Sequence, residues 1–281
     1  MDWKLLERAK QLGVEVLGET AAVGLSRNSP SQWVLKIRNS DGTSAEIETG
    51  LIIDATGRSR IVSKLVQKNA GYLNQIPTPN RNAYIGFKSH LQNVHIEKGR
   101  CEIYSFRDGY GGLSPIEDGL ANHCFLVRSS VVREFSGNTD KLVEEVIYKN
   151  KRAFETMKDS LPSAKYLAVS VDSFGLKNLS PAPGILAVGD SAAFIDPFTG
   201  GGMLMALESA RILAGCVALH NLSFETLSTE YKRLHKQTFA RRLLVSSLLR
   251  RFAFMPFFAK TAISILDVSG ISRKFLARAT R

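Results

Sequence analysis

The most constraining stretch of this sequence is the segment from Ile185 to Gly215, which reads ILAVGDSAAFIDPFTGGGMLMALESARILAG. An apolar run typical of a buried strand ends at a Gly-Asp pair, a proline follows, and three consecutive glycines open a long apolar helix. Glycine lets the backbone approach a ligand closely, and a helix N-terminus presents unpaired N–H groups with a partial positive charge. The segment therefore predicts a strand–turn–helix unit that binds a ligand at its turns.

The chemistry of these turns narrows the class of ligand. The GxxxxGK[ST] pattern of a phosphate-binding P-loop is absent. The carboxylate of Asp190 would repel a phosphate, so we expect it to accept hydrogen bonds from hydroxyl groups such as those of a sugar or a ribitol chain. Backbone amides can bind the electron-rich edge of a heterocycle, and a carboxylate can bind ribitol. This combination indicates a flavin dinucleotide.

Composition and charge argue against several other functions. The three cysteines and five histidines match no metal-ligand spacing, so no metal site is predicted. The net charge of +11 lies entirely in residues 231–281, which hold twelve Lys and Arg against one acid. The rest of the chain has no net charge, so the sequence does not indicate a basic surface for nucleic acid there. The N-terminus lacks the apolar core of a signal peptide, which predicts a cytoplasmic location.

Hydrophobic periodicity predicts the order of the elements. A first helix starting at Asp2 has apolar residues at helical spacing, and short β-rich runs follow, including 14–17 and a hairpin across the turn NSDG. Alternating runs between residues 83 and 127 predict an antiparallel sheet, with a helix at 141–159 and one more strand near 165–171. From Ser223 onward the pattern is helical.

Two motifs resemble the fingerprints of a known superfamily. GDSAAFIDPFTGGGMLMALESA resembles the Gly-Asp motif of the FAD-dependent monooxygenase and geranylgeranyl reductase superfamily, and LIIDATGRSRIVSKLV resembles its second fingerprint. The commoner form of this fingerprint has Asp at the position of Thr56. The resemblance therefore does not extend to a contact made through the carboxylate of that Asp. The resemblance implies an FAD cofactor, with NAD(P)H as the reductant of the flavin. It also implies the cofactor-binding residues Thr56, Gly57, Arg58, Gly189, Asp190, Pro197, Gly200, Gly201, Gly202 and Met203.

The resemblance also defines a predicted fold and domain plan: an α/β (α+β) chain with a partial FAD/NAD(P)-binding domain, an inserted antiparallel β-sheet substrate domain and a helical C-terminus. The regions are 1–75 and 181–222 for the binding domain, 76–180 for the substrate domain, and 223–281 for the basic helical region. The superfamily normally begins with a βαβ unit carrying GxGxxG, which this sequence lacks. We therefore expect the C-terminal part of a longer flavoprotein or a truncated relative.

The substrate signal is weaker than the cofactor signal. Aromatic and bend residues of the predicted sheet are candidates for lining a hydrophobic pocket, namely Tyr104, Phe106, Tyr110 and Pro115. The WxWxIP signature of flavin-dependent halogenases is absent, and no residue stands out as a general acid or base, which suits flavin chemistry. The predicted function is reduction or monooxygenation of a hydrophobic isoprenoid-like or aromatic substrate. The alternative is a non-catalytic remnant that acts as a binding or partner subunit.

The basic C-terminal region suggests a further partner. It alternates basic pairs with Leu and Phe clusters, and its apolar run after Arg251 is too short to span a bilayer. A basic amphipathic helix can lie on an anionic membrane, which predicts peripheral membrane association. The alternative is a helical cap that packs its apolar face on the flavin domain and leaves its arginines in solvent.

Overall fold

The computed structural model describes residues 2–29, 31–69, 83–171, 173–197, 200–219 and 223–253. The helices are α1 (Asp2–Gln11), α2 (Ile61–Asn69), α3 (Ser129–Glu134), α4 (Thr139–Leu142), α5 (Lys151–Met157), α6 (Gly202–Leu219) and α7 (Phe224–Ala253). The strands are β1 (Thr20–Ser29), β2 (Gln32–Asn39), β3 (Ser44–Thr49), β4 (Ile52–Asp54), β5 (Tyr84–Gln92), β6 (Glu102–Phe106), β7 (Gly109–Pro115), β8 (Ala121–Arg128), β9 (Leu161–Pro162), β10 (Leu167–Val171), β11 (Gly175–Leu176), β12 (Ile185–Ala187) and β13 (Ala193–Phe194).

The central feature is the predicted antiparallel sheet, with strand order β10-β5-β8-β7-β6 and β9 beside β5. Its core includes side chains from the helices that follow β8. The prediction of a single helix at 141–159 is wrong. Helix α4 continues into a π-helical turn at Val143–Ile147, and α5 starts separately at Lys151. Asn150 causes the new start, since its side chain accepts a hydrogen bond from the Ala153 N–H at 3.1 Å and caps α5.

A second, three-stranded antiparallel sheet joins β1, β2 and β3. The predicted hairpin is confirmed, and Asp41 closes its turn by accepting a hydrogen bond from the Thr43 N–H at 2.8 Å. Residues 14–17 form no strand, so that part of the prediction is wrong. Trp33 attaches this sheet to the Gly-Asp segment, because its indole N–H donates to the Pro183 carbonyl at 2.8 Å.

The two motif strands form a parallel pair. In β4 and β12, Ile52 lies opposite Ile185, and Asp54 lies opposite Ala187. Within the described residues β4 pairs with β12 alone, and the side chain of Ile53 is 48% exposed. This edge of β4 therefore carries backbone groups that a further strand could pair with.

Helices α6 and α7 cover β12 on one side. The buried Tyr231 of α7 donates a hydrogen bond from its hydroxyl to the Ala187 carbonyl at 2.8 Å, and Phe239 is also fully buried. Helix α1 behaves differently, because it forms as predicted but has no buried residue. The apolar stripe on α1 is exposed.

The C-terminal region is helical as far as α7 extends, and the remainder of the predicted basic region, residues 254–281, lies outside the described residues. None of the helices in the described ranges combines the length and the apolar character needed to cross a bilayer.

Candidate functional site

The two sequence motifs, more than 130 residues apart in the chain, are joined by one serine. Ser191, which follows the Gly-Asp pair, donates hydrogen bonds to the Asp54 carboxylate at 3.2 Å and to the Gly57 carbonyl at 2.9 Å. The parallel pairing of β4 and β12 brings both turns to the same end of the pair, as expected for the carboxyl ends of parallel strands. The turns therefore form one continuous surface.

Asp54 organises the first turn. Its fully buried carboxylate accepts hydrogen bonds from the Thr56 hydroxyl at 2.6 Å and from the Ser63 hydroxyl at 2.9 Å. Burial opposes the ionisation of Asp54, but the hydrogen bonds from Thr56 and Ser63 outweigh it and hold the pKa of this carboxyl below its ordinary value. Thr56 also accepts a hydrogen bond from the Ile61 N–H at 2.8 Å, so its side chain caps the start of α2.

Gly189 is required by two features of its surroundings. Its φ is +59°, in the left-handed region, and a Cβ at this position would lie 3.3 Å from the Cβ of Ala206. Its N–H donates to the hydroxyl of the buried Ser209 at 2.8 Å. The second turn therefore sits directly on α6, and Asp190 faces the space beside the N-terminus of that helix.

That space, called the motif cavity, has a volume of about 580 Å³. Seven of the predicted cofactor-binding residues line it: Gly57, Gly189, Asp190, Pro197, Gly200, Gly202 and Met203. Gly201 is absent from this described lining, and its carbonyl accepts the Met205 N–H at 3.0 Å in the first turn of α6. Burial raises the pKa of Asp190, and the nearby positive charge of Arg58 opposes that rise.

A second space, called the apolar cavity, lies over one face of the antiparallel sheet and has a volume of about 390 Å³. Its lining includes Tyr110, Leu126 and Val169 of the sheet. Phe194 and Pro197 line both this cavity and the motif cavity. A ligand in the apolar cavity would thus lie beside a ligand in the motif cavity.

The predicted substrate residues divide between the two faces of the sheet. Tyr104 and Phe106 are opposite Gly111 and Gly109 and pack in the core away from the apolar cavity. The neighbouring Tyr110 faces the cavity, since successive residues of a strand point to opposite sides. Pro115 is half-buried and is not among the described residues that line the cavity.

The glycines of the GYGGL stretch serve packing. A Cβ at Gly109 would lie 2.4 Å from the Phe106 ring, and one at Gly111 would lie 2.9 Å from the Cβ of Phe125. Side-chain and backbone atoms of the sheet core occupy the space that larger residues would need.

Asp196 is a site residue that the sequence prediction missed. Its carboxylate is 2% exposed, accepts a hydrogen bond from the Tyr110 hydroxyl, and lies 3.8 Å from the Nε of Arg250 on α7. The guanidinium of Arg250 also covers the ring of Phe174 at 4.5 Å. Because Asp196 directly precedes Pro197, these contacts anchor the segment shared by the two cavities. The sequence signal that could have identified Asp196 is the presence of an acid in the otherwise apolar run AAFIDP.

The aromatic contacts continue through the wall between the cavities. The rings of Phe174 and Phe194 stack with centroids 5.2 Å apart, and the guanidinium of Arg58 covers Phe194 at 5.2 Å. The predicted site residue Arg58 thus belongs to a stack that ends at Arg250 of α7.

Known proteins share this fold and parts of this sequence. No family model matches the sequence. A digeranylgeranylglycerophospholipid reductase of Methanocella arvoryzae is 32% identical over 243 residues, 81% of this chain and 56% of the relative. A tryptophan 2-halogenase of Chondromyces crocatus is 22% identical over 252 residues, 86% of this chain and 47% of the relative. The flavin-dependent brominase Bmp2 superposes with a TM-score of 0.78 at 13% identity, covering 99% of this chain and 68% of the brominase.

The sequence is similar to those of digeranylgeranylglycerophospholipid reductases and flavin halogenases, and the fold is similar to those of a flavin-dependent brominase and a geranylgeranyl reductase-like protein, which is consistent with the superfamily that the two motifs resemble. The chain spans about half the length of the curated relatives it matches. The fold class predicted from the sequence, a mixed α/β chain with an antiparallel sheet and C-terminal helices, is confirmed.

Proposed function

We propose that this chain binds FAD in the motif cavity and forms the substrate-facing part of an oxidoreductase that acts on a hydrophobic substrate. The observation that carries the proposal is the meeting of both turns and the N-terminus of α6 around one cavity, which shares Phe194 and Pro197 with an apolar cavity. The left-handed Gly189 supports the fit, because only glycine lets the second turn lie this close to Ala206 of α6 at the wall of the cavity.

Each part of the motif cavity has a role in this proposal. Asp190 would accept hydrogen bonds from ribitol hydroxyls, and the backbone amides of Gly201, Gly202 and Met203 would bind the pyrimidine edge of a flavin. Pro197, which lines both cavities, would contact both ligands. A bound flavin would supply the hydride or oxygen chemistry, while the protein provides position and electrostatics.

The apolar cavity accommodates the substrate in this proposal. Its sheet face offers aliphatic and aromatic side chains, which suit an isoprenoid-like or aromatic molecule. Reduction of a double bond is the first candidate reaction because the 32% identical relative is a reductase. Oxygenation is the second candidate, supported by the sequence similarity to a tryptophan 2-halogenase, whereas the absence of the WxWxIP signature places halogenation behind it. We propose NAD(P)H as the reductant.

The alternative of a non-catalytic binding or partner subunit is not favoured. The relatives found by sequence carry the names of enzymes from both the reductase and the halogenase branches. The edge of β4 supports a related proposal, namely that a further parallel strand completes the binding domain at this edge. The exposed Ile53 lies on a face of the strand pair that the helix or strand of such a unit would cover.

Peripheral membrane association is also kept as a proposal. It rests on the basic residues of 231–281, five of which lie beyond the described residues. Arg250 is not available for lipid, because its side chain is 19% exposed and packs on Phe174 and Asp196. The remaining basic residues would bring the chain to an anionic surface that holds lipophilic substrates.

The proposed reaction is tested by loading the protein with FAD and following flavin absorbance under anaerobic conditions after NADH or NADPH is added. Bleaching, followed by reoxidation when an isoprenoid alkene is supplied, would support a reductase. Reoxidation that needs oxygen and an aromatic substrate would support the second candidate. A loaded protein that is not bleached by either nicotinamide would contradict NAD(P)H as the reductant.

A further inference from the structure

A third space, called the basic cavity, adjoins the other two. It has a volume of about 170 Å³ and is lined by four cationic side chains, those of Arg58, Arg60, Lys64 and Lys177. Hydroxyls of Ser63, Ser170 and Ser173 also line it, and Asp190 is the single acidic residue of the described lining. The cavity therefore has a large excess of positive charge and several neutral hydrogen-bond donors.

The cations of this cavity come from the turn after Gly57, from α2 and from the residue after β11. Arg60 ends the turn after Gly57 with a left-handed φ of +47°, and its Nε is buried without a hydrogen-bond partner in the described part of the chain. Lys64 lies one turn further along α2, where its backbone N–H donates to the Arg60 carbonyl at 3.0 Å. Lys177 donates from Nζ to the Ser173 carbonyl at 3.0 Å. In the described residues, neither Arg60 nor Lys64 forms an ion pair with a carboxylate.

The position of the basic cavity links it to both neighbours. It shares Asp190 and Phe194 with the motif cavity, and it shares Arg58, Val171 and Phe194 with the apolar cavity. A ligand that fills either neighbour can therefore extend an anionic group into the basic cavity without crossing a solvent gap.

We propose that the basic cavity binds a phosphate or diphosphate group of a ligand whose remainder lies in a neighbouring cavity. A concave site with several cations and one carboxylate attracts an anion. A phosphate ester fits better than a carboxylate, since it carries more charge and offers oxygens to guanidinium, ammonium and hydroxyl donors together. The phosphate could come from the dinucleotide cofactor or from the head of an amphiphilic substrate, and these sources share the same chemistry. The neighbouring occupants rest on the proposed function, whereas the anion site rests on the basic cavity alone.

The test compares wild type with the double variant Arg60→Gln/Lys64→Gln. A matched control, Lys232→Gln/Lys236→Gln, removes the same number of charges from exposed positions on α7. The primary probe is inorganic diphosphate, measured by calorimetry at low ionic strength, with thermal melting of all three proteins to verify folding. We expect diphosphate affinity to fall about tenfold or more in the double variant and to change little in the control, since charged hydrogen bonds are lost.

Further probes identify the source of the phosphate. If the double variant binds FAD more weakly but binds riboflavin as wild type does, the phosphate belongs to the cofactor. If it loses affinity for geranylgeranyl diphosphate but not for geranylgeraniol, the phosphate belongs to the substrate. Equal diphosphate affinity in the folded double variant and in the control would overturn the proposal. Failure of the proposed function would give a different result from failure of the anion site. Riboflavin would then bind to none of the proteins, while inorganic diphosphate would still bind to wild type.

Discussion

The hydroxyl of Tyr110 on β7 donates a hydrogen bond to the carboxylate of Asp196, and both side chains are buried. This bond joins the antiparallel sheet to the segment that contains Pro197. Arg250 approaches the same carboxylate from α7. Sheet, Gly-Asp segment and C-terminal helix are therefore fixed to one another at the wall between the motif cavity and the apolar cavity.

The substitution Tyr110→Phe removes this bond while keeping the ring. Because the acceptor is a buried carboxylate, we expect the free energy of unfolding to fall by about 2 kcal/mol, as measured by urea denaturation. Tyr148→Phe is the control, since it removes a bond to the neutral Met157 carbonyl and should cost about 1 kcal/mol. A smaller loss for Tyr110→Phe than for Tyr148→Phe would contradict the importance of the Asp196 anchor.

Asp54 predicts a specific pH dependence. Because the pKa of Asp54 is lowered in the folded state, its ionised form stabilises the fold at neutral pH, and this contribution is lost as pH falls below about 4 and through the folded pKa. We expect Asp54→Asn to lower the free energy of unfolding by about 2 kcal/mol at pH 7. The difference from wild type should shrink in acid. A difference that stays constant from pH 7 to pH 3 would show that the charge of Asp54 contributes nothing.

The turns around the motif cavity are more predictable from the sequence than the orientation of the side chains that surround it. The order of apolar strand, Gly-Asp, proline and triple glycine was sufficient to predict the turns that surround the motif cavity. The faces of β6 and β7 were not predictable, because Tyr104 and Tyr110 are both aromatic strand residues and only the sheet register separates core from cavity. The break near Asn150 also escaped prediction, since one capping bond outweighs a helical pattern that continues through it. The hydrogen bond from Ser191 to Asp54 joins distant parts of the chain and has no local signal.

The charged form of Asp190 is expected to lower the stability of the fold and to strengthen flavin binding. Burial raises its pKa, so the charged form destabilises the fold once pH exceeds the ordinary value for Asp, and the penalty is absent in acid. Asp190→Asn should therefore melt at a higher temperature than wild type at pH 7, and the gain should disappear below about pH 4.

The riboflavin affinity of Asp190→Asn should fall about tenfold, because a charged acceptor for ribitol is lost. The exposed Asp140→Asn serves as the control, and a variant that binds riboflavin as tightly as wild type would contradict the role of Asp190.

The membrane proposal predicts salt-sensitive binding to vesicles. Wild type should co-sediment with vesicles containing phosphatidylserine, and binding should weaken as ionic strength rises. Replacing Arg241, Arg242 and Arg251 with glutamine should reduce binding, by about 1 kcal/mol for each charge near the surface. The control replaces the surface residues Lys141, Lys158 and Lys165 with glutamine. Equal binding of the two triple variants would contradict an electrostatic role for the C-terminal region.

The central claim, that the motif cavity holds the flavin, is tested most directly by measuring flavin bound to Ala206→Phe. Ala206 lines the motif cavity beneath Gly189, whereas the exposed Leu204 on the same helix is outside its described lining. Leu204→Phe is therefore the matched control, with circular dichroism to verify folding of both. We predict that wild type and Leu204→Phe bind flavin with the same affinity, and that folded Ala206→Phe binds at least about tenfold more weakly, since its ring occupies the cavity. Undiminished flavin binding by folded Ala206→Phe would contradict the account.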